Sequence, residues 1–195
     1  MALFRNRYRV ESTRLRGWDY AQPGLYFVTI CTRDKYPWFG QVLDGNLRLS
    51  AVGELALQCW RQLPAQFGHV ALDAHVVMPD HIHAILALGT VSAREIHPPS
   101  ARNSSGEAVG TPTMSSISPL PGSLPVVIRS YKGGVTRRAR NELQLGFAWQ
   151  PRYYDHIIRD GAELDRIRAY IADNPRNWQR DHALDHDGDA PWEAC

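Results

Sequence analysis

Residues 24–33 read GLYFVTICTR, a run of β-branched and aromatic residues that predicts a central strand. FGQVLDGNLRLS follows, with Asp44-Gly45-Asn46 as turn chemistry between two short strands, hence a hairpin. Ser50 can cap a helix whose apolar positions Val52, Leu55, Ala56 and Cys59 keep helical spacing, and Pro64 sets its limit. HVALDAHVVM predicts another strand, Met78-Pro79-Asp80 interrupts it, and HIHAILAL predicts the next. After Pro125, PVVIRSYKGGVTRRARNELQ predicts a basic helix that Gly133-Gly134 should weaken and kink. WQPRYYDHIIRD is strand-like, and GAELDRIRAYIADNP closes the series as a helix. Leu164, Ile167 and Ile171 form its apolar stripe, and Pro175 should limit its end.

The order is strand, hairpin, helix, strand, strand, helix, strand, helix. Antiparallel strands with helices on one face give an α+β fold, a ferredoxin-like or RRM-like sandwich whose other sheet face is left for a ligand. Residues 89–124 depart from this grammar. They are dense in Gly, Pro and Ser, show no sustained period, and read as a mobile insertion within one domain spanning 1–195. Residues 181–195 read as a polar tail.

A chain of 195 residues is long enough to bury a real core. No apolar stretch approaches the ~20 residues of a membrane helix, and MALFRNRYRVESTRLRG lacks the apolar core of a secretory signal. Cys31, Cys59 and Cys195 are scattered and lack zinc-finger spacing, so reduced thiols in a cytoplasmic protein are expected. Net charge is +2, yet Arg5, Arg7, Arg9, Arg14 and Arg16 crowd the start, and Lys132, Arg137, Arg138 and Arg140 crowd a second segment. Basic clusters with aromatics nearby suit a phosphate backbone; charge alone equally fits a solvated basic face.

His81 and His83 alternate along an otherwise apolar strand and therefore share a face. Two imidazoles side by side suit a divalent metal, although such pairs also occur as ordinary half-buried residues. On the last helix Tyr170 and Asn174 are four apart and lie together beside the apolar seam, with Arg166 one turn earlier. A tyrosine there is most often a packing residue with a wet hydroxyl, and an asparagine before proline is explained as a helix-ending residue.

Taken together, MPDHIH, the SYKGGVTRRAR segment, WQPRYYDHIIRD and YIADNP resemble the single-tyrosine HUH transposases, and more closely the REP-associated tyrosine transposases. The resemblance, which also covers LRGWDYAQPGLYFVTICTRD, implies an HUH endonuclease fold. His81, His83 and Asn174 would be ligands of a divalent metal, Mg²⁺ or Mn²⁺, and Tyr170 would be the nucleophile. The implied reaction cleaves and rejoins single-stranded DNA next to REP-like hairpins through a 5′-phosphotyrosyl intermediate. His156 could take part, but a structural or DNA-contacting role fits it better. Tyr131, Tyr153 and Tyr154 compete as base-stacking or core residues.

Arg129, Lys132, Arg137, Arg138 and Arg140, with Arg14 and Arg16, are the expected DNA contacts. The expected location is the cytoplasm of a bacterium, at the nucleoid when DNA is bound. Monomer and homodimer both remain open. Two other readings stand beside the enzyme: a non-catalytic or domesticated single-strand-binding protein on the same fold, and a hydrolase that uses water as its nucleophile.

Overall fold

Strand β1 (Gly24–Cys31) is buried along its whole length because it takes a partner on each side. It pairs antiparallel with β5 (His81–Leu88) and with β6 (Tyr154–Ile158). β4 (Val70–Val77) adds antiparallel to β5, so the sheet runs β4-β5-β1-β6. Each strand–helix–strand step skips one place in this order, the ferredoxin-like topology expected from the element series. The computed structural model describes residues 18–89 and 120–184.

The local signals act as the sequence predicts. The β2 (Gly40–Leu43) and β3 (Asn46–Leu49) hairpin turns through Asp44 and Gly45, both at positive φ (50° and 71°), which glycine and aspartate tolerate. Ser50 caps α1 (Ala51–Arg61) by accepting from the Gly53 N–H at 3.1 Å and donating to the Trp38 carbonyl at 2.6 Å. A short α2 (Leu63–Gln66) follows, with Pro64 in its first turn.

Helices α1 and α3 (Leu124–Leu143) cover one sheet face, burying Tyr26, Val28, Ile30, Ile82, Ala84 and Leu86. The last helix, α4 (Gly161–Leu184), lies on the opposite face. Its Leu164, Ile167 and Ile171 pack on Leu25, Phe27, Ile85 and Ile158. Helices therefore cover both faces of the sheet, not one face as expected, because the apolar stripe of α4 needs its own sheet surface to bury. Burying one such side chain contributes about 1.5–3 kcal/mol, enough to seat the helix firmly.

Three local expectations are corrected. α3 runs through Gly133-Gly134 with no non-helical residue. Its neighbours Tyr131 and Val135 are buried in the core, and Trp149 Nε1–H donates to the Lys132 carbonyl at 3.0 Å. α4 does not end at Pro175 but continues to Leu184. Proline costs the helix one hydrogen bond, but the turn beyond it packs on the β2–β3 hairpin, whose Gly45 lies close to Arg176. Finally, WQPRYYDHIIRD is a strand only from Tyr154 onward, with Trp149 making an isolated bridge to Thr32.

Residues 90–119, most of the expected insertion, lie outside the described residues, as do 185–195. Among the described residues no helix is long and apolar enough to cross a membrane.

Candidate active site

His81 and His83 sit at the start of β5 with ring centroids 4.3 Å apart. The sheet ties one nitrogen of each ring. His83 lies opposite Thr29 in the β1–β5 register, which brings its Nδ1 to 2.9 Å from Thr29 Oγ1. His81 Nδ1 is 2.6 Å from the carboxylate of Asp80, the preceding residue. Both Nε2 atoms are left for other partners.

What they meet is α4. Tyr170 places its hydroxyl 3.1 Å from His83 Nε2. Two turns later the Trp178 ring lies 5.8 Å from the ring of His81. Asn174 is four residues from each, on the same stripe of the helix, and is 7% exposed. The helix thus lays Tyr170, Asn174 and Trp178 along the histidine pair. Phe27 stacks on His83 at 5.4 Å and meets Tyr170 edge-on at 6.3 Å, forming the floor beneath both.

Burial, reinforced by the nearby His81, holds the His83 imidazole well below its ordinary pKa. It is neutral at neutral pH, so one ring nitrogen donates and the other accepts, between Thr29 Oγ1 and the Tyr170 hydroxyl. His81 Nε2 is buried and without a hydrogen-bond partner. A buried ring nitrogen with no partner is costly unless a ligand fills the place. Two adjacent imidazoles, with an amide on the helix that faces them, fit a divalent cation in an open site. Among the described residues no trio of His, Cys, Asp or Glu forms a metal cluster.

A two-pronged ion pair fixes α4 to the sheet: Arg168 Nε and Nη2 donate to the Asp73 carboxylate at 2.9 and 2.6 Å. The β4 register shifts between Leu72 and His75, a bulge that contains Asp73. At the other end His156 Nε2 lies 2.8 Å from Glu163 Oε1 in the first turn of α4, giving that histidine a role in seating the helix.

Two of the competing tyrosines are otherwise engaged. Tyr131 is buried and donates to the Ala56 carbonyl, burial raising its pKa further. Tyr154 packs on Phe27. Of the expected DNA contacts, Arg129, Lys132, Arg137 and Arg140 line one groove of about 700 Å³ along α3, while Arg138 turns to α1 and pairs with Glu142 at 2.6 Å. Arg14 and Arg16 lie outside the described residues.

Several contributors carry weak sequence signals. Thr29 could have been read from strand parity, and Asp80 stands inside the quoted MPDHIH motif. Trp178, beyond the proline expected to stop the helix, and Arg152 and Trp149 in the groove have no local signature.

No protein-family model matches the sequence. An uncharacterized protein of Haemophilus influenzae (strain Rd) is 34% identical over 172 residues, 88% of this chain and 91% of that protein. The structure of a REP-associated tyrosine transposase bound to a REP hairpin aligns at TM-score 0.52 and 18% identity, over 91% of this chain and 74% of the other. A Deinococcus radiodurans R1 structure aligns at TM-score 0.42 and 17% identity, over 82% and 95% of the two chains. The chain belongs to one family with the Haemophilus influenzae protein and has the fold of the REP-associated tyrosine transposase.

Proposed function

We propose that this protein cleaves and rejoins single-stranded DNA beside REP-like hairpins, with Tyr170 as nucleophile and Mg²⁺ or Mn²⁺ held by His81, His83 and Asn174. The observation that carries this reading is the 3.1 Å contact of the Tyr170 hydroxyl with the buried member of two adjacent imidazoles. An ordinary packing tyrosine would not need to bring its hydroxyl to that pair. The REP hairpin held by the structural neighbour supports the choice of substrate.

The Tyr170 oxygen attacks the scissile phosphorus, a Tyr–O–P bond forms, and the bond to the 3′ oxygen breaks. The 3′ oxygen leaves with a proton as a free hydroxyl. Attack by a 3′-hydroxyl on the phosphotyrosyl ester reverses the step and joins strands without another energy source. A phenol ionises near pKa ~10, so a cation beside it would favour the phenolate and draw charge from the phosphate oxygens. Thr29 and Asp80 hold the imidazoles, Phe27 supports their floor, and the Asp73–Arg168 pair fixes the helix bearing the nucleophile. Cations on α3, together with Arg14 and Arg16, supply phosphate contacts.

The test is a denaturing gel after incubation of labelled hairpin-bearing single strands with Mn²⁺. A slow, heat-stable protein–DNA band is expected, absent for Tyr170→Phe while DNA binding persists. Cleavage that survives Tyr170→Phe would assign the reaction to water. Binding with no covalent band under any condition would leave a non-catalytic binding protein.

A further inference from the structure

We propose that the groove along α3 seats one unpaired nucleotide of the DNA, its base against Tyr153 and its phosphate among arginines, with Gly133 as the notch that admits it. This rests on the reading of the chain as a DNA-processing enzyme.

The groove holds about 700 Å³. Arg129, Lys132, Arg137 and Arg140 enter it from α3, and Arg152 from the segment before β6. No acidic residue lines it, and its walls include Trp149 and Tyr153. A duplex backbone asks for charge spread over a surface. A concavity with an aromatic wall and clustered cations suits a base out of its stack together with its phosphate.

Gly133 lies midway along the helical wall, and a Cβ built there meets nothing within 4 Å. Packing therefore does not explain why a glycine stands inside a helix. Lys132 also has a second duty: its Nζ donates to the Gln150 and Arg152 carbonyls at 2.7 and 2.8 Å, holding the far wall.

Position relative to the histidines argues for the same strand of DNA. Gln150 N–H donates to the Cys31 carbonyl at 3.0 Å, and Cys31 is opposite His81 in the β1–β5 register. The groove's far wall is therefore about two strand spacings, roughly 10 Å, from the histidine pair across the sheet. β6 is the edge strand on that side of the sheet. At its start Tyr153 lines the groove, whereas Tyr154 packs on Phe27 on the histidine face. A polynucleotide rounding this edge passes from the groove toward Tyr170.

The test compares two labelled probes in EDTA by fluorescence polarisation: a blunt hairpin, and the same hairpin with an unpaired arm of about four nucleotides. Gly133→Leu should keep the fold, since the site is open and leucine is the better helix former. It is expected to weaken binding of the armed probe about tenfold and leave the blunt probe within twofold. Tyr153→Ala should give the same selective loss. Equal losses on both probes would assign the groove to duplex backbone, and no loss on either would remove it from DNA binding; both overturn the proposal. The assay omits the cation, so its outcome is independent of whether Tyr170 forms a covalent product.

Discussion

The Tyr170 hydroxyl and His83 Nε2 share a hydrogen bond of 3.1 Å, and that nitrogen has a single lone pair. The phenol and a cation therefore compete for one atom, and cation entry would release the phenol beside the ion. At Mn²⁺ about 100 times its Kd, the folded state should gain about 2.7 kcal/mol, a Tm rise of roughly 5–10 °C for a chain of this size. His81→Ala should abolish the shift. Tyr170→Phe should bind Mn²⁺ at least as well as the wild type; tenfold weaker binding would mean that the phenol helps hold the ion.

The partners of Nδ1 set the imidazole geometry. Thr29→Val keeps the shape of the side chain but strands a buried ring nitrogen, at a cost of about 1–3 kcal/mol. Cation affinity should fall about 10–100-fold, as should that of Asp80→Asn at the neighbouring ring. Titration calorimetry of both variants measures this, and unchanged affinity would reduce Thr29 and Asp80 to structural residues.

The pair formed by Asp73 and Arg168 should appear in the acid limb of stability. The hydrogen bond from Arg168 lowers the Asp73 pKa, so the folded value lies below the unfolded one of ~3.9. The contribution is complete above the unfolded value and disappears as pH falls through the folded one. Because the Arg168 side chain is 40% exposed, we expect only about 1 kcal/mol. Asp73→Asn should lose that amount at pH 7 in urea melts and show a flatter acid limb.

Lys132 gives the opposite region of the scale. Burial brings its amine down to about 8, against ~10.4 in the unfolded chain. Between those values the unfolded state holds the proton that the folded state has released, so stability from this group rises with pH. Methyl-labelled lysine spectra should show one resonance titrating near 8 that is missing in Lys132→Met. A set of resonances all titrating near ~10.4 would contradict it.

The sequence makes the site legible up to the point where two distant segments must meet. Alternation puts His81 and His83 on one face, and four-residue spacing puts Tyr170 with Asn174. Neither pattern contains the distance between them. Arg138 shows a related limit on the basic helix, where charge marks it as a DNA contact but its guanidinium is held by Glu142 one turn on and by Gln58 of α1.

By itself the sequence determined the strands, the hairpin turn, the Ser50 cap and the apolar stripe of α4, because those depend on period and on the chemistry of neighbouring residues. Tertiary structure decided what free local rules get wrong: that α3 passes through two glycines, that α4 passes through Pro175, and that it lies on the histidine face. The first two cost the isolated segment energy that contacts with distant residues offset, and the third is itself such a contact, which no local pattern can report.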